Sequence, residues 1–274
     1  MTDGGRVTEI ARGLLRSASG RKLERARHDA PPPPRGTAPA PPDFVGVGTA
    51  RSGTTWWDSL IHAHPQVFRA PGVPKEVHYF DRSWDADFNA QAARRYHDFF
   101  PRPPGRLAGE WTPGYLLQFW TPRQLVLAAP EARLLVLLRD PVERFRSALT
   151  LTENRLSLAW NVRGAANGGY VRGVYADQLV RLFAVFPREQ VLVLQYERCV
   201  QDPVGELRRT FSFIGLDPAP AARLAVERRV NPSRGDKVVL SDAQRHILRV
   251  RYAPENERLA ALLPDLDLTL WQRP

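Results

Sequence analysis

The sequence predicts an α/β fold, a single three-layer domain from about residue 43 to 274 with a central, mostly parallel sheet flanked by helices. Three observations carry this. Short apolar runs alternate with longer helical periods from Asp43 onward. The run Leu134-Leu135-Val136-Leu137-Leu138 is unbroken, as expected of a central strand buried on both faces. Phe44-Val45-Gly46-Val47 is followed by a glycine-bounded turn and a helical period, the strand–loop–helix order of a parallel unit. With 43% hydrophobic residues among 274, the chain has enough material for one core of that size.

Residues 1–42 stand apart from this pattern. A basic stretch from Arg6 to Arg27 precedes Ala30-Pro31-Pro32-Pro33-Pro34 and a second Pro/Ala run ending at Pro42. Proline lacks a backbone donor and fixes φ, so this part reads as an extended, semi-rigid arm outside the core. Thr8 to Leu23 has some helical periodicity through Ile10, Leu14 and Leu15 and reads as a solvated tail rather than a membrane or nucleic-acid arm. The first strand then leads through Gly48-Thr49-Ala50-Arg51-Ser52-Gly53 into a helix over about Thr54 to Ala63. The apolar run at 134–138 is stopped by Arg139-Asp140-Pro141, where Asp140 suits an N-cap and Pro141 the first turn of a helix reaching about Leu151. Between Thr152 and Tyr170, which includes Gly164, Gly168 and Gly169, helix and strand signals are few and a loop is expected. A helical period from Gly173 to Phe186, a strand over Gln190–Leu194, and helices over Leu207–Ile214 and Ser241–Leu262 complete the set.

Composition narrows the ligand before any motif does. Basic residues number 39 against 29 acidic ones, and 36 of the 39 are arginine, the lysines being Lys22, Lys75 and Lys237. An anionic partner is expected. No apolar run approaches the ~18–20 residues of a membrane span, and the first thirty residues lack a signal-peptide core, so a cytoplasmic protein is the expectation. Cys199 is the single cysteine, which excludes an intrachain disulfide and a Cys-based zinc cluster.

The stretch Gly48 to Thr55 nearly fits a phosphate loop, a glycine, four residues, then a second glycine and a hydroxyl residue, and makes the domain P-loop-like. Thr54 stands where a nucleotide hydrolase carries its lysine. A helix N-terminus offers unpaired N–H groups and a partial positive charge to an oxyanion, Arg51 adds a permanent charge, and Thr54 and Thr55 add hydroxyls. A plain Gly/Ser/Thr turn after a strand has the same composition. An ATPase or kinase also wants a carboxylate at the end of a neighbouring strand to help hold Mg²⁺. Here the apolar strand ends in Arg139, which suits a second anionic group. Two anion sites imply a ligand with phosphates at both ends.

On these residues the chain from about Phe44 to Trp271 resembles sulfotransferases that use 3′-phosphoadenosine 5′-phosphosulfate (PAPS), both bacterial members and carbohydrate O-sulfotransferases. Arg51-Ser52-Gly53-Thr54-Thr55-Trp56 is similar to the family's Arg/Lys-Ser-Gly-Thr-Thr-Trp loop, which implies that it binds the 5′-phosphosulfate and that Trp56, or less directly Trp57, contacts the adenine. Leu138-Arg139-Asp140-Pro141 through Ser147 is similar to the second motif, which implies that Arg139 and Ser147 hold the 3′-phosphate; a guanidinium suits a phosphate bidentately. Arg144 and Arg146 read as solvated helix charges. Tyr196, at the end of the strand at 191–195, is by the same resemblance near the adenine or else a half-buried strand-end aromatic. Asn231-Pro232-Ser233-Arg234-Gly235 resembles the basic loop that closes over the nucleotide, with Arg234 as its cation.

Lys75-Glu76-Val77-His78-Tyr79-Phe80-Asp81 resembles the segment carrying the catalytic base in heparan sulfate 3-O-sulfotransferases and related enzymes. That resemblance makes Glu76 the base and His78 its assistant. The spacing agrees, since residues two apart in an extended segment share a face while Lys75 and Val77 point the other way. A local ion pair is the expectation for Asp81 and Arg82. Arg51 replaces the lysine of many members, and because arginine gives up its proton poorly it is assigned charge stabilisation on the leaving phosphate. The scheme implies PAPS as donor, PAP (adenosine 3′,5′-bisphosphate) as product, a hydroxyl-bearing acceptor and no metal. In one departure, Glu110-Trp111-Thr112-Pro113 has Trp111 where the carbohydrate enzymes have lysine, and its indole either contacts the acceptor or packs in the core. The 152–170 loop reads as an acceptor-side loop or a gate. The rival readings are a P-loop small-molecule kinase and a non-enzymatic basic nucleic-acid-binding protein.

Overall fold

A computed structural model of the chain describes residues 29–81, 88–153, 161–224, 226 and 237–271. Four strands, β1 (Phe44–Gly48), β2 (Gly109–Trp111), β3 (Arg133–Leu138) and β4 (Val191–Gln195), form one sheet in the order β2-β1-β3-β4, every pair parallel. The helices are α1 (Thr54–His62), α2 (Ala90–His97), α3 (Thr121–Ala128), α4 (Pro141–Glu153), α5 (Asn161–Val171), α6 (Tyr175–Phe183), α7 (Tyr196–Gln201), α8 (Pro203–Phe213) and α9 (Asp242–Leu262). From β1 the chain adds β2 on one side and β3 on the other. The order therefore reverses between β1 and β3, and the crevice outside their C-terminal ends is where such sheets bind ligands.

The strand periodicity sorts side chains into two cores. Leu134, Val136 and Leu138 of β3 point into one, with Val45 and Val47 of β1; Leu135 and Leu137 point into the other, with Phe44. The first face is covered by α2, α3, α6 and Leu259 of α9, the second by α1, α7 and α8. Each fully buried leucine or valine contributes about 1.5–3 kcal/mol by leaving water, which is why a run without polar interruption reads as a central strand. Among the described residues no helix is long and apolar enough to cross a membrane.

Several boundaries differ from the expectations, each for a physical reason. Helix α8 starts at Pro203, four residues early, because Asp202 caps it by accepting from the Gly205 N–H at 2.9 Å and proline suits its first turn. The expected loop at 152–170 instead carries α5, in which Gly169 leaves room for the Phe145 ring of α4 and its carbonyl accepts from Arg144. Helix α2 was not expected at all; Asn89 caps it through Gln91 N and Ala92 N, both 3.0 Å from Oδ1. Residues 29–42, read as an arm outside the core, lie on the domain. Ala30 packs against the first core and Ala38 forms an antiparallel bridge with Arg102. The helical period at Thr8–Leu23 falls outside the described residues.

Candidate active site

The site begins where β1 ends. Thr49 folds its hydroxyl inward, donating to the Leu137 carbonyl at 2.9 Å and pairing with Ser52 Oγ at 2.5 Å, so the loop is stitched to β3. Arg51 and Gly53 both take left-handed backbone, with φ of 73° and 88°. Glycine is required at 53 on two counts, since a Cβ there would also stand 2.7 Å from the Tyr196 ring. No side chain caps α1 at Gly53 and its first turn holds no acidic residue. The first N–H groups of the helix therefore face the crevice with their partial positive charge, the arrangement an oxyanion needs.

The second cationic element comes from the end of β3 and from α4. Arg51 Nε donates to Ser147 Oγ at 3.1 Å, and Arg139 Nη1 donates to the Arg51 carbonyl at 3.3 Å. The Arg139 guanidinium lies 4.8 Å over the Tyr196 ring and 3.8 Å from Glu143, a carboxylate shared with Arg146 and Arg245. Two structural contacts hold Arg139 at the strand end: its carbonyl accepts from the Tyr175 hydroxyl at 2.8 Å, and the next N–H, of Asp140, is held by Glu197 at 3.0 Å. Asp140 caps α4 by accepting from Val142 N at 2.8 Å, and burial pushes its carboxyl up to about 6. Residues 51, 139, 147 and 196, from four separate elements, thus converge beside Gly53.

On the β2 side of the loop lies the segment 75–81. Glu76 and His78 meet, Oε2 to Nε2 at 3.1 Å, and the other imidazole nitrogen, Nδ1, is 2.7 Å from Asp81 Oδ2. Asp81 in turn accepts from Gln118 Nε2 at 2.9 Å. Lys75 does not point away, as strand alternation implied. The segment bends, with His78 at a φ of 56°, and Lys75 Nζ reaches Glu76 Oε1 at 3.1 Å and Thr54 Oγ1 at 3.5 Å. What fixes the bend is Glu110, fully buried at the centre of four donors: Val77 N at 3.0 Å, the Tyr96 hydroxyl at 2.8 Å, the Tyr115 hydroxyl at 3.1 Å and the Thr112 hydroxyl. Burial raises the Glu110 carboxyl, and those hydrogen bonds oppose the rise.

The charges of this trio follow from its contacts. Burial pushes Glu76 up, but the hydrogen bond from His78 and the charge of Lys75 outweigh it and hold the carboxyl below its ordinary value. For His78 the hydrogen bond to Asp81, with that to Glu76, raises the imidazole from 6.5 to about 9. Because the folded value lies above the free one, the stability gained from this imidazolium is complete below pH 6.5 and is lost as pH rises through about 9. A proton NMR titration of His78 is expected to show a midpoint near 9, and Asp81→Asn to lower it; an unchanged midpoint in that variant would mean Asp81 does not set the charge.

Other sequence expectations meet the structure unevenly. Trp56 is buried, donates its indole N–H to the Val226 carbonyl at 2.9 Å and stands edge-on to Tyr196; Trp57 is fully buried and bonded to Thr210, so it has no face left for a base. Trp111 takes the core option, with no exposure and its indole N–H on the Gly48 carbonyl at 3.0 Å. Arg144 is not a solvated charge but fully buried, and Arg146 is in the Glu143 ion network. Tyr196 opens α7 rather than ending β4. Arg234 and Arg82 lie outside the described residues. Sequence reasoning missed Asp81, Lys75 and Glu110. A turn that brings i and i+3 together would have signalled Asp81, whereas the other two depend on the neighbouring strand.

Residues 41–242 match the family model described as the sulfotransferase domain. The chain is 32% identical over 188 residues to the human heparan sulfate glucosamine 3-O-sulfotransferase 3B1, a match covering 64% of this chain and 46% of that protein. It thus spans about half the length of the curated relatives it matches. Among solved structures, a sulfotransferase from Alicyclobacillus acidocaldarius superposes with a TM-score of 0.67 at 27% identity, covering 85% of this chain and 100% of that one. Sulfotransferase STF9 from Mycobacterium avium shares the fold, with a TM-score of 0.55 at 14% identity over 84% of this chain and 78% of its own.

Proposed function

The chain belongs to the sulfotransferase domain family, and from that premise we propose that it transfers the sulfuryl group of PAPS to a hydroxyl of a carbohydrate acceptor. The observation that carries the donor reading is the bond between Arg51 and Ser147, which joins the loop after β1 to the helix after β3 and so makes one continuous cradle for two anionic groups. The residues fit such a nucleotide. The loop 51–55 and the uncapped N-terminus of α1 suit the 5′-phosphosulfate; Arg139 and Ser147 suit the 3′-phosphate; Tyr196 and the edge of Trp56 offer aromatic surface for the base. The heparan sulfate enzymes among the relatives support a sugar hydroxyl as acceptor. Family membership gives no support to the kinase or nucleic-acid readings.

The donor brings the activated sulfuryl group; the protein supplies alignment and charge. Glu76 accepts the proton of the acceptor hydroxyl as its oxygen bonds to sulfur and the sulfur–oxygen bond to the phosphate breaks. His78, protonated and tied to Asp81, orients the carboxylate. Arg51 stabilises the charge appearing on the leaving phosphate. Incubation with sulfur-labelled PAPS and pools of glycans and small hydroxyl metabolites tests this. Labelled glycan with release of PAP is expected; label in small metabolites only would overturn the carbohydrate acceptor, and no PAP binding would overturn the donor.

A further inference from the structure

Lys75 is one of three lysines in a chain that otherwise draws its positive charge from arginine. Its ammonium touches both halves of the site, donating to Glu76 Oε1 at 3.1 Å and to Thr54 Oγ1, the first helical residue after the loop, at 3.5 Å. The backbone beneath it is fixed separately. The Lys75 carbonyl accepts from Trp111 N at 3.1 Å, and Val77 N–H is held by buried Glu110. Trp111, where the carbohydrate enzymes resembled here carry lysine, turns its side chain into the core, and Lys75 is its hydrogen-bonded neighbour. A lone surface ion pair gains little over the entropy of fixing a lysine. Here the lysine is 17% exposed and its glutamate partner 38%, and the lysine is anchored at its backbone and bonded to two elements.

We propose that Lys75 is a positioning residue, which aims the Glu76 carboxylate at the reaction centre and ties it to the donor loop through Thr54. The proposal rests on the reading of Glu76 as base. The groups facing Glu76 are Lys75 and His78 from its own segment, Asp81 behind His78, and the Thr54 hydroxyl from α1. Each carboxylate oxygen has one cationic partner, Lys75 on Oε1 and His78 on Oε2. Removing Lys75 leaves Oε1 free to rotate and halves the charge that keeps Glu76 ionised.

The test uses protein labelled with carbon-13 at the glutamate carboxyls, the Glu76 signal being the one lost in Glu76→Gln. The wild-type signal is expected to titrate below the ordinary 4.5. Lys75→Met is expected to raise that midpoint by about one pH unit, the lower end of what an adjacent opposite charge does. Lys75→Gln, which keeps a donor and loses the charge, is expected to raise it likewise, and Lys75→Arg to restore it. PAP is expected still to bind all three variants by calorimetry, which reports that the cradle around Arg139 and Ser147 is folded. An unmoved midpoint in both neutral variants, or failure of Lys75→Arg to restore it, would overturn the proposal. Absence of PAP binding in the wild type would instead overturn the donor reading and leave the Glu76 titration, and with it the role of Lys75, intact.

Discussion

Glu76→Gln is expected to lower turnover by about 10²–10⁴-fold, the contribution of a positioned base, while PAP binding stays intact. The change is nearly isosteric; its one oxygen accepts from Lys75 or from His78 but not from both, because the amide nitrogen only donates, while the backbone of 77–79 stays held by Glu110, Thr112 and Tyr115. What disappears is the ability to take a proton. The wild-type carboxyl, held below its ordinary value by His78 and Lys75 against the effect of burial, is ionised at neutral pH. Its contribution is therefore present above that value and lost as pH falls through it, and the acid limb of the rate profile should vanish in the variant. Turnover within threefold of wild type would exclude Glu76 as base.

Arg139→Ala is expected to weaken PAP binding about a hundredfold, equivalent to the ~1.5–3 kcal/mol of a hydrogen bond to a charged group, with much less effect on adenosine 5′-phosphate. The selectivity of the loss is the informative part. Arg139 stands at the end of β3, braced by the Arg51 carbonyl, with its guanidinium over Tyr196, and Arg51 in turn reaches Ser147 of α4. The nearby Glu143 is already shared with Arg146 and Arg245, which leaves the Arg139 charge available to a phosphate. Calorimetry with the two nucleotides decides the matter: equal losses for both would remove the 3′-phosphate assignment.

Much of the fold was legible because burial writes itself into sequence at short range. Leu134 to Leu138 read as a strand covered on both sides, and the two cores that its alternate residues enter are the two faces of the sheet. The glycines at 48 and 53 marked the loop, and Asp140-Pro141 marked the start of α4. Less legible was any element whose signal is one cap or one close contact. Helix α2 rests on Asn89, and of the glycines that suggested a loop at 152–170, Gly169 serves the contact of α5 with α4.

The sequence by itself determined the α/β order, the glycine-bounded loop carrying Arg51 and the cation at 139, because each is a matter of residue type at fixed local spacing, and the family resemblance pointed to Glu76 with His78. Only the tertiary structure decided that Lys75 turns toward Glu76, that Asp81 completes the chain through His78, that Trp111 belongs to the core and that Arg144 is buried. Those outcomes depend on what lies across from each side chain. The amides of the bent segment 77–79 are held in turn by Glu110 of β2 and by the Thr112 and Tyr115 hydroxyls after it, and no periodicity along the chain encodes the neighbour that a parallel sheet brings beside it.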